Sequence, residues 1–343
     1  MGSSSKHGLA EPDNNKESYF PRGRSNMKEL EERLVREALS FYPLREPQIH
    51  FLRHNENITC RIIDATETYV LRIHKPELGF EQKIFDAQVT DEQLFQSEVH
   101  LLLHLRHSNL FPVQEPVRGK TGAYVSVLSD GSPAVLFHWL EGTPLDKSMA
   151  SEYARDLGTL AALIHKASEG FCDVRLEYSH KLIKAMQAEI GYAQTLNHIT
   201  LEHANICQSA LFEIDNVMTE LDSKPDSKSL IHADLNFGNV LQTPNGLAPI
   251  DFSLSGYGYR AQECGMIASN FTDALLQRAV CEGYTKTSGM SIDPHHIDAF
   301  YSLSVLLFLT SQHNRYFDKD WFALAMDRWC RDYFGPLVMK GMC

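Results

Sequence analysis

The stretch LIHADLNFGNVLQTPNGLAPIDFSLSGYG, Leu230–Gly258, decides the reading of this chain. Apolar residues lead into His232-Ala233-Asp234, Asn239 stands five positions after Asp234, a Pro-Asn-Gly turn follows, and Pro249-Ile250-Asp251-Phe252 closes the segment. Two short strands around a polar loop would carry Asp234, Asn239 and Asp251 to one end of the structure. Those are the oxygen groups that phosphoryl transfer asks for. A transferred γ-phosphoryl spreads negative charge over its oxygens, so the site needs Mg²⁺, a cation that takes hard ligands such as carboxylate and amide carbonyl. Asn239 and Asp251 are read as that metal pair. The acceptor hydroxyl must be held in line and lose a proton, and Asp234 is read as the carboxylate that orients and accepts it. A lone loop Asp is usually a turn former, but three such groups at this spacing argue for chemistry.

Length and composition frame that site. At 343 residues, 43% hydrophobic and 22% charged, the chain is globular and longer than one hydrophobic core usually serves, so two lobes are expected. Its 32 Lys and Arg against 44 Asp and Glu give a net charge of −12, which argues against general binding to nucleic acid or an anionic membrane. The seven cysteines are odd in number and form no C-x-x-C pair, so neither a disulfide scaffold nor a zinc ribbon is indicated, and a reducing cytoplasm is the expected compartment. The most apolar run, Val305–Leu309, is interrupted upstream by Ser302 and Ser304 and reads as a buried helix, not a membrane span. Residues 1–26 are rich in Ser, Asn, Pro and Gly and lack the apolar core of a secretory signal; they are expected to form a flexible leader.

Leu30, Leu34 and Ala38 predict an amphipathic helix between Met27 and Ser40. Strands are expected at Ile49–Arg53, Ile58–Ile63, Thr68–His74 and Tyr124–Leu128, with one helix, Gln93–Arg106, among them. Beyond Gly142 and Pro144 the chain turns helical, with a stripe through Tyr153, Leu157, Leu160 and Ile164 and a long stretch over Leu182–Leu221 broken near Asn197. His100, His104 and His107 share a helical face without an Asp or Cys to complete a metal set, and read as a solvated face.

The pattern H-x-D-x-x-x-x-N followed by Ile-Asp-Phe resembles the catalytic and metal loops of the aminoglycoside phosphotransferase-like kinases, which include choline and homoserine kinases. The resemblance implies an α+β, bilobal protein-kinase-like fold: a small antiparallel sheet with one key helix, then a larger, mainly helical lobe. It implies ATP and Mg²⁺ as cofactors, Asp234 as catalytic base, Asn239 and Asp251 as metal ligands, and His232 as a brace. Tyr69-Val70-Leu71-Arg72 resembles the kinase strand V-A-I-K, which puts Arg72 at the α- and β-phosphates, Val70 at adenine and Glu98 as the helix acid that pairs the cation. Arg in place of Lys keeps the charge but substitutes a planar fork for an ammonium. Asn57, in the turn from Arg53, is the implied phosphate contact, and Phe137-His138-Trp139-Leu140 resembles the hinge that holds adenine. The lobes would then span 27–136 and 141–343, joined by 137–140. Glu263 stands where family members have an Asp, and both it and Ser253 could bear on substrate or on loop bracing. Gly256-Tyr257-Gly258-Tyr259 is expected as a loop lining the acceptor cleft.

The function implied is transfer of a phosphoryl group to a hydroxyl on an amino-alcohol, an amino acid such as homoserine, or a sugar-like metabolite. An antibiotic kinase and a catalytically silent nucleotide-binding protein are the alternatives. The partners expected are a nucleotide and a small-molecule acceptor. Excess acid falls mainly on the second lobe, with 16 basic and 25 acidic residues over 137–343 against 12 and 16 over 27–136, which suits an amine-bearing substrate.

Overall fold

A computed structural model describes residues 28–54, 57–65, 67–75, 82–85 and 89–341, and the expected leader lies outside these. The first helix, α1 (Glu29–Ser40), starts with three acidic residues in its first turn, which favour a helix N-terminus. It lays Leu34, Val35, Ala38 and Leu39 on a sheet of β1 (Gln48–His54), β2 (Asn57–Asp64) and β3 (Glu67–His74). Leu30, expected on the buried stripe, is half exposed; Val35 and Leu39 take the place it would have filled. Helix α2 (Asp91–Ser108), capped by the Thr90 hydroxyl and ended by left-handed Asn109, covers the opposite face, before β4 (Val125–Val127) and β5 (Pro133–His138). The five strands run antiparallel in the order β1-β2-β3-β5-β4. Alternation along β3 sends Leu71 and Ile73 to α1 and leaves Val70 and Arg72 on the α2 side.

The second lobe opens with β6 (Thr143–Pro144), α3 (Ala150–Ala167) and β7 (Leu176–Glu177). The long helical stretch divides into α4 (His180–Thr195) and α5 (Leu201–Asp222), with Asn197 at φ 59° in the break, as its sequence predicts. Then come β8 (Lys228–Ile231), β9 (Val240–Thr243), β10 (Gly246–Pro249) and β11 (Gly256–Tyr259). Helices α6 (Arg260–Ala268), α7 (Ala274–Ser288), α8 (Pro294–Tyr316), α9 (Asp320–Trp329) and α10 (Gly335–Gly341) complete the lobe. Gly256–Tyr259 is therefore a strand and not a loop. It sits between β8 and β7 because Gly256 admits the Leu176 backbone, where a Cβ would overlap the carbonyl oxygen. Tyr259 is buried, its hydroxyl 2.6 Å from an Asp222 carboxylate oxygen.

Helices α3 and α7 meet backbone to backbone through two glycines. A Cβ on Gly158 would overlap the Val280 carbonyl, and one on Gly283 would overlap the Arg155 carbonyl. Replacing either by Ala should destabilise the protein by about 1–3 kcal/mol or more, although Ala is the better helix former. Gly191→Ala on α4, where no atom beyond the local helix backbone lies within 4 Å of the new methyl, should stabilise by up to about 1 kcal/mol. Urea unfolding of the three variants checks the contrast.

Candidate active site

The floor of the cleft is an ion pair. Arg72 on β3 sends Nη1 to Glu98 Oε1 at 2.8 Å and Nη2 to Oε2 at 3.0 Å, and both residues are buried. The guanidinium also lies over the rings of Phe95 and Phe137, which fix its plane. Its Nη2 is 3.7 Å from Asp251 Oδ1.

Two loops rise opposite it. The β8–β9 loop carries Asp234, whose carboxylate receives the Asn236 side-chain amide at 2.8 Å and the Asn239 amide at 2.5 Å. The Asn236 carbonyl in turn accepts the Gly238 N–H, an Asx turn that sets the loop. His232, fully buried, accepts the Asp234 N–H at Nδ1, so its Nε2 carries the proton donated to the Ile250 carbonyl. One neutral imidazole thereby ties the Asp234 loop to the residue before Asp251. Burial pushes its pKa down, against the opposing pull of the Glu263 carboxylate. Glu263, on the first turns of α6 and without exposure, accepts the N–H groups of His232 and Ala233. Both of these donors belong to the loop backbone that leads into Asp234.

Ala233 and Asp251 both adopt φ 64°, the left-handed region that non-glycine residues avoid. Burial alone would raise the Asp251 pKa; the Arg72 and Arg53 guanidiniums outweigh it and hold the carboxyl below the usual range. Asp251 Oδ1 is buried without a hydrogen bond, and the Asn239 amide nitrogen is spent on Asp234, which leaves its carbonyl end for another partner. A carboxylate oxygen and an amide carbonyl are the donor set that Mg²⁺ prefers.

The cleft beside the pair is lined by Leu52, Thr59 and Val70 from the sheet, by Trp139 and Leu140, and by Gly238, Leu241 and Ile250 from below. Of the four expected hinge residues, Phe137 and His138 are the end of β5. They pair with Val70 and Tyr69 on one side, and the His138 N–H reaches the Glu115 carbonyl on the other, because the apolar run from Ala134 continues the strand. The Trp139 N–H is also taken, by the Thr68 carbonyl. Asn57 stands in β2, buried on the cleft side, its carbonyl 3.4 Å from His74 Nδ1; the turn before it lies partly outside the described residues. His100 pairs with Asp173 and His104 with the Glu169 carbonyl, and no metal-binding cluster of His, Cys, Asp or Glu occurs among the described residues. Lys75 turns to Asp130.

Sequence reasoning missed Arg175. This buried guanidinium donates to the carbonyls of Leu94 on α2 and of Phe252, Ser253 and Ser255 beyond Asp251, and to the Ser255 hydroxyl. It stands outside every motif, just before β7, and no local pattern marks it.

A two-lobed fold with paired carboxylates, a carboxamide and a sheet cation around one cleft defines a protein-kinase-like small-molecule kinase. Residues 49–296 match APH, the phosphotransferase enzyme family, and the chain belongs to it. It is 22% identical over 249 residues to an amicoumacin kinase of Bacillus subtilis (strain 168), covering 70% of this chain and 68% of that one. Among solved structures it is similar to a microcompartment-associated aminopropanol kinase (TM-score 0.71, 19% identity, 91% of this chain and 96% of that one). It is also similar to an amicoumacin kinase in complex with AMP-PNP, Ca²⁺ and Ami (TM-score 0.71, 16% identity, 89% and 93%) and to a choline kinase of Cryptosporidium parvum Iowa II (TM-score 0.61, 13% identity, 91% and 97%). No helix among the described residues is long and apolar enough to cross a membrane.

The neutral state of His232 makes a pH prediction. With its folded pKa below the unfolded value, the unfolded chain binds the extra proton, so the stabilisation is full above about pH 6.5 and is lost as pH falls toward the folded pKa. The slope reaches at most about 1.4 kcal/mol per pH unit. Urea midpoints of the wild type should therefore fall more steeply below about pH 6.5 than those of His232→Asn. Parallel profiles would mean that His232 binds its proton equally in the folded and the unfolded chain.

Proposed function

We propose that this chain transfers the γ-phosphoryl group of ATP to a hydroxyl of a small amine-bearing molecule, such as an amino-alcohol, an amino acid or a sugar-like metabolite, with Mg²⁺ as its cation. The observation that carries this reading is the grouping of Asp234, Asn239 and Asp251 on two braced loops facing the Arg72–Glu98 pair. The relative named for aminopropanol supports an amino-alcohol, and so does the acidic balance of the second lobe. Likeness to amicoumacin kinases supports a second reading, an acceptor of the amicoumacin kind.

In this proposal Asp234, steadied by Asn236 and Asn239, orients the acceptor hydroxyl and takes its proton as the new O–P bond forms and the bond to ADP breaks. The Asn239 carbonyl and Asp251 would hold Mg²⁺, which withdraws charge from the phosphate oxygens. Arg72, kept in its plane by Glu98, faces the phosphates, while Val70, Trp139 and Leu140 flank the adenine. Phe137 and His138 support that wall from within β5, and His232 and Glu263 brace the loops.

ADP release measured against a panel of hydroxyl acceptors, small amines and amicoumacin included, tests the reading. Asp234→Asn should lower turnover by roughly 10²–10⁴-fold while leaving nucleotide affinity near wild type. Asp251→Asn should instead remove the Mg²⁺ dependence of nucleotide binding. Near-normal turnover in the first variant, or unchanged Mg²⁺ dependence in the second, overturns the assignment of that residue.

A further inference from the structure

The sheet cation is committed, with both Nη atoms of Arg72 on Glu98 and its plane set by Phe95 and Phe137. A second guanidinium enters the same cleft from β1. Ile49 and Phe51 pack on the α1 side, so regular alternation would put Leu52 in the cleft and send Arg53 back toward α1. The pairing with β2 slips at this point. Phe51 faces Cys60 and Arg53 faces Thr59, which leaves Leu52 as the extra residue of a bulge. His54 then returns to α1, its Nδ1 2.6 Å from Glu31. Leu52 and Arg53 consequently both line the cleft, the re-aiming that a bulge produces. The Arg53 side chain is 41% exposed, and its Nη2 lies 3.5 Å from Asp251 Oδ2.

We propose that Arg53 is a phosphate-binding residue of the nucleotide site, moving its guanidinium from the Asp251 carboxylate to the β- or γ-phosphate oxygens when nucleotide and cation enter. This rests on the phosphotransferase reading above. Three features carry it. A carboxylate that ligates a cation no longer needs a guanidinium against it, so the interaction can be exchanged. The Arg fork matches phosphate oxygens in pairs. The exposed side chain of Arg53 can turn, whereas Arg72 is buried between its acid and two rings. The apolar end of the cleft, at Leu52, Val70 and Leu241, suits the base, which puts the phosphates at the Asp251 end, where Arg53 reaches.

Calorimetric titration of the full chain with adenosine, ADP and AMP-PNP in the presence of Mg²⁺ tests the proposal. Arg53→Met should leave adenosine affinity within about twofold and weaken ADP and AMP-PNP by roughly tenfold to a hundredfold, the scale of a lost charge-assisted hydrogen bond. Arg53→Lys should recover part of that loss. Arg53→Gln serves as a second neutral variant if the Met protein melts early. Equal weakening of all three ligands, or no weakening of either phosphate-bearing one, overturns the proposal. Should the wild-type protein gain no affinity from adenosine to AMP-PNP, the phosphotransferase reading falls with it; a wild-type gain that Arg53→Met retains sinks only the role of Arg53.

Discussion

The buried guanidinium of Arg175 is the constraint on which the geometry of the cleft depends. Its hydrogen bonds among the described residues end on carbonyl or hydroxyl oxygens, from Leu94 on α2 and from Phe252, Ser253 and Ser255 after Asp251. A cation taken out of water costs several kcal/mol, and here that cost is offset by hydrogen bonds to backbone carbonyls and one hydroxyl. The arrangement makes one turn of α2 and the segment after Asp251 a single body. Glu98 hangs from the next turn of that helix and Asp251 from the start of that segment. The distance between the Arg72 pair and the proposed metal ligand is thus set by an arginine that touches neither carboxylate.

A second frame holds the backbone where it would not rest alone. Ala233 and Asp251 are each left-handed without being glycine, which costs about 1–2 kcal/mol apiece. Glu263 compensates at Ala233 by accepting the two N–H groups that the turn points inward. His232 compensates at the other loop by holding the Ile250 carbonyl. The strained residues are the neighbour of Asp234 and Asp251 itself, so the side chains with proposed chemistry are aimed by backbone conformations that only this buried network sustains.

Much of this was legible in the sequence because it is local. The spacing of His232, Asp234, Asn239 and Asp251 fixed which loops would face the cleft, and alternation along Thr68–His74 separated Val70 and Arg72 from Leu71 and Ile73. Glu98 was recognisable through the resemblance to the kinase helix acid, on a predicted helix one turn before Leu101 and Leu102. Long-range pairing was not legible. Nothing near Phe137 and His138 reveals that the Glu115 carbonyl extends their strand, and nothing in Gly256–Tyr259 reveals that Leu176 will approach Gly256 closely enough to make a sheet. Arg175 carried no signal because its partners are carbonyls, which every residue has. Arg53 was within reach as part of a turn, but a bulge is a property of two strands, and one strand read alone assigns the side chain to the wrong face.

The exchange of Lys for Arg on β3 also has a consequence for how charge is shared. An ammonium can point one donor at an acid and others at phosphate, whereas a guanidinium that pairs two donors with Glu98 presents a fixed edge. The acid-paired cation therefore becomes a rigid wall beside Asp251, and in the proposed scheme the adaptable cation of the cleft is Arg53 on β1, two strands away. Arg53 and Arg72 are set against Glu98 and Asp251, with Asp234 a third carboxylate on the facing loop, inside a chain of net charge −12. In the proposed function the two guanidiniums offset part of the repulsion that a magnesium nucleotide would meet in this acidic chain, and the guanidinium displaced by the metal is the group left to meet the phosphate.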